Sequence, residues 1–480
     1  MYKFKTEPFQ HQKDVLKTSW SKTVWAYFME MGTGKSKVCI DNVGILFEKN
    51  EIDTFVVIAP KGVYRNWSNI EIPVHLPDHI EKVICVWRPS PNKKEKELLL
   101  SLLKEKVPGV LRIFVMNVEA LSTAKGTSYL AALLKKSNTF LAIDESTAIK
   151  NPKAKRTKTI IKMGKGIKYK RILTGSPVTQ SPLDLWAQCN FLSPTLLGET
   201  GDNFFQYQYR FAIMKKTTVG ANSFNMIVGY RNLDKLAELL KNFSSRIMKE
   251  ECLDLPDKIY LTRNVQLTED QERIYSEIKE FALANITDED FMTAPNIMTQ
   301  LVRLQQVLSG HTKTDDGKII EIKDNRLPEL INCIEDMSGK IIIWSRFRYD
   351  IKRIYESLTK IHGSRSTVTY YGDTSDEDRR EAIEQFQNGD ARFFIGNPQT
   401  GGHGITLTAA NNVIYFANSF DLALRMQSED RCHRIGQKKK VTYVDLIAEK
   451  TIDEKIVKAL VNKKKIASLV MGDELKKWLT

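Results

Sequence analysis

The chain has 480 residues, 42% of them hydrophobic and 27% charged, with a net charge of +14 and a pI near 9.2. That length predicts two or three domains with full cores, and no apolar run approaches the roughly 18 residues of a membrane span. The six cysteines (Cys39, Cys85, Cys189, Cys252, Cys333, Cys432) form no CxxC pair, which argues against a zinc site or disulfide framework and fits reduced thiols in a cytoplasm. The start, Met1-Tyr-Lys-Phe-Lys, lacks the apolar segment of a secretory signal. The positive surplus favours a polyanionic partner, of which nucleic acid is the commonest.

Trp25-Ala-Tyr-Phe-Met29 reads as a strand leading into Glu30-Met31-Gly32-Thr33-Gly34-Lys35-Ser36, with a helix continuing through Val38-Cys-Ile40. Strand, glycine loop and helix are the setting a phosphate cradle needs. Glycines let backbone N–H groups converge on phosphate oxygens, and the helix amino terminus adds a favourable dipole. Gly32, Thr33 and Gly34 would line the phosphates, Lys35 would hold the β- and γ-phosphates of ATP, and Ser36 would ligate Mg²⁺. Phe55-Val-Val-Ile-Ala59, Arg112-Ile-Phe-Val-Met116 and Phe140-Leu-Ala-Ile143 read as buried parallel strands, with chemistry in the loops at their carboxyl ends. Residues 96–106 have helical periodicity. Asp144-Glu145 directly follows one of these strands. Asp144 would hold the magnesium, and Glu145 would orient and deprotonate the attacking water.

After Asn190-Phe-Leu-Ser-Pro194 the chain changes character. The aromatic run Phe204-Phe-Gln-Tyr-Gln-Tyr-Arg-Phe211 precedes an expected hairpin turning at 219–223, then a helix over 233–242. Those aromatics, interleaved with Arg210, Lys215 and Lys216, suit either core packing or nucleic-acid contact, with packing the stronger expectation. Helices are expected over 268–284 and 296–308, and Asp315-Asp-Gly317 marks a turn. Lys340-Ile-Ile-Ile-Trp344 opens a second parallel sheet, with further strands at Thr367-Val-Thr-Tyr-Tyr371, Arg392-Phe-Phe-Ile395 and Val413-Ile-Tyr-Phe416. Thr400-Gly401-Gly402 follows the third of these four, where glycine permits close approach to a DNA phosphate or to ATP. In Gln427-Ser-Glu-Asp-Arg431-Cys-His-Arg434, a helix would put both arginines on one face, spaced as arginine fingers that reach a nucleotide held by another domain. A long basic helix is expected over 450–470.

The ordered motifs resemble those of Swi/Snf-type ATPases, a DNA-translocating branch of helicase superfamily two. They are Gln12, Met31-Gly-Thr-Gly-Lys-Ser36, Ile58-Ala-Pro60 with Trp67, Asp144-Glu-Ser-Thr147, and Leu173-Thr-Gly-Ser-Pro177. Ile341-Ile-Ile-Trp-Ser345, Gln399-Thr-Gly-Gly-His-Gly-Ile-Thr-Leu407 and the arginine segment complete the series. The resemblance implies an α/β chain of two RecA-like doubly wound lobes with helical and hairpin insertions between them, meeting across ATP. Gln12 would read the adenine edge, Gly402 and Gly404 would join the nucleotide site, and Thr174 and Ser176 would couple it to DNA. Two departures stand out: Thr147 where many relatives carry histidine or glutamine, and His403 and Thr406 in the second glycine loop.

The expected domains are a first lobe at 1–194, an inserted protrusion at 195–256, the start of the second lobe at 257–338, its core at 339–448, and a terminal brace at 449–480. Lys61, Asn66, Trp67, Lys150, Arg346 and Thr400 are the candidates for the DNA track. The reading is a monomeric, cytoplasmic Mg²⁺-ATPase that translocates on double-stranded or forked DNA and remodels DNA or DNA–protein complexes. Its rivals are a fork-reversing or branch-migrating enzyme and a remodeller that displaces proteins through a partner surface. The absence of an appended chromatin-reading module points to a bacterial cell or a virus-infected one.

Overall fold

Strands that alternate side chains between two faces, with both faces apolar, must be covered on both sides, and the computed structural model is built that way twice. It describes residues 2–104, 107–198, 201–219, 222–252, 254–287, 294–314, 316–401 and 405–471. The chain divides into two units: Met1–Ile213 with Ile227–Asp254 and Lys464–Thr480, and Met214–Met226 with Leu255–Lys463.

The first unit holds β1 (Val24–Met29), β2 (Thr54–Ala59), β3 (Glu81–Val86), β4 (Val110–Asn117), β5 (Thr139–Asp144), β6 (Tyr169–Leu173) and β9 (Ser244–Ile247), while β7 (Ala212–Val219) and β8 (Asn222–Tyr230), which come between β6 and β9 in the chain, belong mostly to the second. The expected hairpin is the two-stranded β7–β8 pair, and residues 220 and 221 of its turn lie outside the described residues. The other seven strands form one parallel sheet in the order β3-β4-β2-β5-β6-β1-β9. Alternate residues enter two separate cores: Phe28, Val56, Ile58 and Ile143 on one face, Tyr27, Phe55, Val57 and Phe140 on the other. Every loop that leaves a carboxyl end of these strands therefore emerges on one edge, where ligands of such sheets bind.

In the second unit, β10 (Lys258–Asn264), β13 (Lys340–Trp344), β14 (Thr367–Tyr370), β15 (Phe393–Gly396), β16 (Ala410–Tyr415) and β17 (Val441–Ile447) form a parallel sheet. Its order is β10-β17-β16-β13-β15-β14, while β11 (His311–Lys313) and β12 (Ile319–Glu321) pair antiparallel apart from it. Ile341, Ile343 and Ile395 face one core, and Ile342, Trp344 and Phe394 the other. The helices Glu269–Thr287 and Ala294–Leu308 match the expected spans within a few residues.

The expected boundaries differ from these units. Residues 195–256 are not a body of their own, because the backbone of β9 pairs with β1 and completes the first sheet. The expected brace also divides: Ile452, Ile456 and Leu460 of helix Ile452–Met471 join a second-unit cluster, and Val470 joins the first unit's core. Among the described residues, no helix is long and apolar enough to cross a membrane.

Candidate functional site

The sequence after β1 cannot continue as a strand, since Gly32 and Gly34 both adopt φ +87°, a region that glycine enters without strain. Gly34 is the N-cap of helix Lys35–Glu48, and no side chain caps that helix. Its first-turn N–H groups are thus presented by the loop, in the arrangement that binds anions. Inside the loop, Thr33 is buried and its hydroxyl donates to the Glu30 carbonyl at 2.8 Å. A Cβ on Gly34 would lie 2.2 Å from Gln12 Nε2.

That contact exists because helix Gln10–Ser19 is pinned against the sheet. Arg171, on β6 and without exposure, donates to Asn42 Oδ1 and to the carbonyls of Ser19, Lys22, Thr23 and Lys170. Gln12 is buried; its Nε2 donates to the Thr33 carbonyl at 3.1 Å and its Oε1 accepts from Phe9 N at 3.1 Å. Each end of the amide retains a further bonding position. His11, which the sequence did not single out, brings Nε2 to 2.8 Å from the same Thr33 carbonyl.

Lys35 opens the helix and is largely buried, with Nζ 3.8 Å from Glu145 Oε1. Ser36 follows it in the first helical turn, half-buried. Asp144 ends β5, and Glu145 follows in a left-handed conformation, φ 47°, which strains a residue with a side chain. Asp144 Oδ2 accepts from the Trp67 indole at 2.9 Å, and Oδ1 accepts from Glu145 N at 2.9 Å. Burial, and then the neighbouring charge of Glu145, push the Asp144 carboxyl up to about 6, against the opposing pull of Lys35 and the indole. Thr174 Oγ1 approaches Glu145 Oε2 at 3.4 Å, and its backbone N–H donates to Tyr27 on β1. Ser176 N donates to Thr174 Oγ1 at 3.2 Å, so Thr174 and Ser176 share one loop beside the carboxylates.

Two crowded carboxylates beside one ammonium and an uncapped helix end suit a magnesium–phosphate ligand. Among the described residues there is no cluster of three or more metal-ligating His, Cys, Asp or Glu side chains. Mg²⁺ is commonly held by one or two carboxylates together with substrate phosphates and water.

A further cation was not legible in sequence. Pairing of β9 with β1 carries Lys249 beside the glycine loop, where its Cε lies 4.0 Å from the position of a Cβ on Gly32. Lys249 is buried, and its backbone N–H donates to Glu30 Oε2 at 2.9 Å.

The DNA-track candidates scatter in environment. Trp67 is 1% exposed, so its expected contact with DNA is replaced by the hydrogen bond to Asp144. Lys150 is half-buried, with Nζ 2.6 Å from Thr179 Oγ1 and 3.8 Å from Asp184 Oδ2. Lys61 is exposed and Asn66 half-buried, both beyond the carboxyl end of β2.

In the second unit, Arg346 follows β13, and its guanidinium donates to Gln305 Oε1. Asn397 joins two loops: Nδ2 donates to the Arg346 carbonyl at 2.8 Å, and Oδ1 accepts from Gln399 N at 2.8 Å. The segment carrying Thr400 is a short helix, Pro398–Gly401, where an open loop was expected. Gly402, His403 and Gly404 lie outside the described residues.

The arginine segment corrects another expectation. The helix Leu422–Glu429 stops before Arg431, so helical spacing does not align the two arginines. Past it the chain turns back, with Gly436 at φ +100°. Arg431 and Arg434 meet instead at one acceptor, the Ile405 carbonyl, at 3.1 and 3.3 Å. Gln437 Nε2 fixes the turn by donating to the carbonyls of Thr408, Ala410 and Cys432. Arg425, missed in sequence, is buried with Asp445 and Glu429 and lies 3.5 Å over the Tyr415 ring.

Residues 27–312 match the SNF2-related domain model, and residues 322–436 match the helicase conserved C-terminal domain. An uncharacterized ATP-dependent helicase of Mycoplasma pneumoniae is 28% identical over 93% of this chain and 40% of its own length. The SWI/SNF-related matrix-associated actin-dependent regulator of chromatin subfamily A member 1 of Mus musculus is 28% identical over 92% of this chain and 41% of its own. The chain thus spans about two fifths of these curated relatives. A solved Sulfolobus solfataricus SWI2/SNF2 ATPase core in complex with dsDNA is 24% identical, covering 100% of this chain and 96% of that one, at a TM-score of 0.42.

Proposed function

Because this chain belongs to the SNF2-related domain family, we propose that it is a DNA-dependent ATP hydrolase that translocates on duplex DNA and remodels DNA or DNA–protein complexes. The observation that carries this reading is the meeting of Lys35, Asp144 and Glu145 below an uncapped helix terminus, with Lys35 Nζ 3.8 Å from Glu145 Oε1.

In this reading the glycine-loop N–H groups and Lys35 bind the β- and γ-phosphates of ATP, and Gln12 holds the adenine edge. Asp144 and Ser36 would hold Mg²⁺, which when bound neutralises charge developing on the phosphates. Glu145 orients the attacking water and takes its proton. The contact with Lys35 keeps that carboxylate aimed until a nucleotide draws the ammonium away. Thr174 and Ser176, sharing a loop with Gly175 against the glycine loop, pass the state of the site to the DNA side. Arg431 and Arg434 act as fingers on the transferring phosphoryl group. Lys61, Asn66, Lys150, Arg346, Thr400 and the surplus positive charge serve a phosphate-reading track, indifferent to sequence.

Turnover and DNA binding of Lys35→Ala and Glu145→Gln test the proposal. Lys35→Ala should lose ATP turnover while keeping DNA affinity; Glu145→Gln should bind ATP yet fail to hydrolyse it. Near-normal hydrolysis by either variant removes the site assignment. Wild-type turnover that duplex DNA does not raise removes the translocase reading.

A further inference from the structure

The helix Phe204–Phe211 sorts its aromatic residues into two sets. Tyr207 and Phe211 are fully buried, and Phe204 packs edge-on against Trp186 with ring centroids 5.4 Å apart. Phe205 and Tyr209 stand instead on the solvent side, each 74% exposed. Core packing therefore accounts for the first set and leaves the second unexplained.

The exposed pair lies in a groove of about 540 Å³ lined by Phe205, Gln206, Tyr209, Arg210, Arg231 and Asn232, all of the first unit. Two of these are arginines and none is a carboxylate, so the groove is complementary to an anion. It is also anchored. The Arg231 guanidinium lies 5.1 Å over the Tyr209 ring and donates to the Tyr209 carbonyl. Asn232 donates to the Arg210 carbonyl at 2.9 Å, and the Asn203 side chain caps the helix at Phe205 N and Gln206 N. One face of the tyrosine ring is held by the cation, and the exposure leaves the other to solvent.

The spacing selects the nucleic acid. Positions four apart on a helix are displaced by about 6 Å along its axis. Bases in one strand of a duplex repeat every ~3.4 Å. Rings carried at positions about 6 Å apart along the axis can each receive a base only where bases are unpaired and drawn apart, and stacking on aromatic rings is how single strands are held without sequence preference. We propose that this groove is a single-strand DNA site, with successive unpaired bases on Phe205 and Tyr209 and the intervening phosphates facing Arg210 and Arg231. The site rests on the DNA-acting reading above and gives it a second, duplex-independent foothold, suited to the open strand of a fork or gap.

The test compares the full-length wild type with the Phe205→Ala/Tyr209→Ala double variant by fluorescence anisotropy, using oligo-dT and a blunt duplex at low salt. Both positions are exposed, and matching thermal melts establish that the variant folds. The double variant should lose roughly 30-fold or more in affinity for oligo-dT, the scale of two base–aromatic stacks. Its duplex affinity and duplex-stimulated ATPase should stay at wild-type levels. Tyr209→Trp should keep wild-type oligo-dT binding, with added fluorescence that oligo-dT quenches and duplex does not. Unchanged oligo-dT affinity in the double variant, or equal losses on both DNAs, overturns the proposal. If the wild type binds neither DNA, the DNA-acting reading falls and takes this site with it; if duplex behaviour is normal and only the oligo-dT effect is missing, this site alone falls.

Discussion

The Trp67 indole donates to Asp144 Oδ2 at 2.9 Å across 77 residues of chain, and both partners are buried. A tryptophan that the motif pattern assigned to DNA is therefore part of the carboxylate's support. Trp67→Phe keeps the bulk and removes the donor, leaving a buried acceptor short of its charge-assisted bond, which is worth about 1.5–3 kcal/mol. We expect Mg²⁺-ATP turnover to fall roughly ten- to a hundredfold on that scale, with duplex affinity unchanged. A filter-binding isotherm run beside the ATPase assay decides between the two roles, since a DNA contact would move the isotherm.

Asp144 makes nucleotide-free stability depend on pH. Burial pushes its folded carboxyl up to about 6, above the ordinary 3.8 of an aspartate, so between those pH values the folded protein holds a proton that the unfolded chain has released. Stability from this group therefore falls as pH rises through that window, and the full cost of the buried charge is present above it. Asp144→Asn should be the more stable protein at pH 8. The difference should vanish near pH 4. Urea unfolding with EDTA at the two pH values reads it, and equal midpoints at pH 8 would contradict the burial cost.

Both sheets were legible because strands buried on both faces read as unbroken apolar runs, such as Phe55-Val-Val-Ile-Ala59 and Lys340-Ile-Ile-Ile-Trp344. The glycine loop was legible because its chemistry is local: φ +87° at Gly32 and Gly34, with Lys35 directly after. The strand Ser244–Ile247 was not, because its four residues carry no apolar run and only pairing with β1 defines them. Lys249 was hidden for the same reason, since nothing near it in sequence signals that it ends beside Gly32. The turn after Glu429 was misread because spacing alone cannot show where a helix stops. There the helix ends with backbone bonds from Asp430 N, and side chains of the following residues satisfy carbonyls of 405–410.

Gly34 and Gln12 should behave as a coupled pair. Gly34→Ala meets two obstacles: a left-handed backbone, which costs about 1–2 kcal/mol for a residue with a side chain, and a Cβ 2.2 Å from Gln12 Nε2. Gln12→Ala removes the second obstacle and leaves the first. In a double-mutant cycle the combined variant should be more stable than the sum of the singles, by about 0.5–3 kcal/mol. Additive destabilisation would mean that the glutamine side chain swings away freely and does not fix the loop.

Arg425 and Arg431 lie six positions apart, yet they should fail differently when truncated. Arg425 is buried against Asp445 and Glu429; Glu429 also has Lys258 and Tyr260, but Arg425→Ala takes from buried Asp445 its ion-pair partner and should destabilise the fold by about 3–5 kcal/mol. Arg431 donates to the backbone carbonyls of Gln427 and Ile405. Arg431→Ala should act on the chemical step, as Arg434→Ala should. A finger that meets charge developing in the transition state is worth about a thousandfold in turnover, with little change in nucleotide affinity. Chemical denaturation, nucleotide titration and single-turnover hydrolysis on the three variants separate these outcomes. If Arg431→Ala or Arg434→Ala weakened ATP binding while leaving maximal turnover intact, that arginine would belong to ground-state binding, and the finger assignment would fail for it.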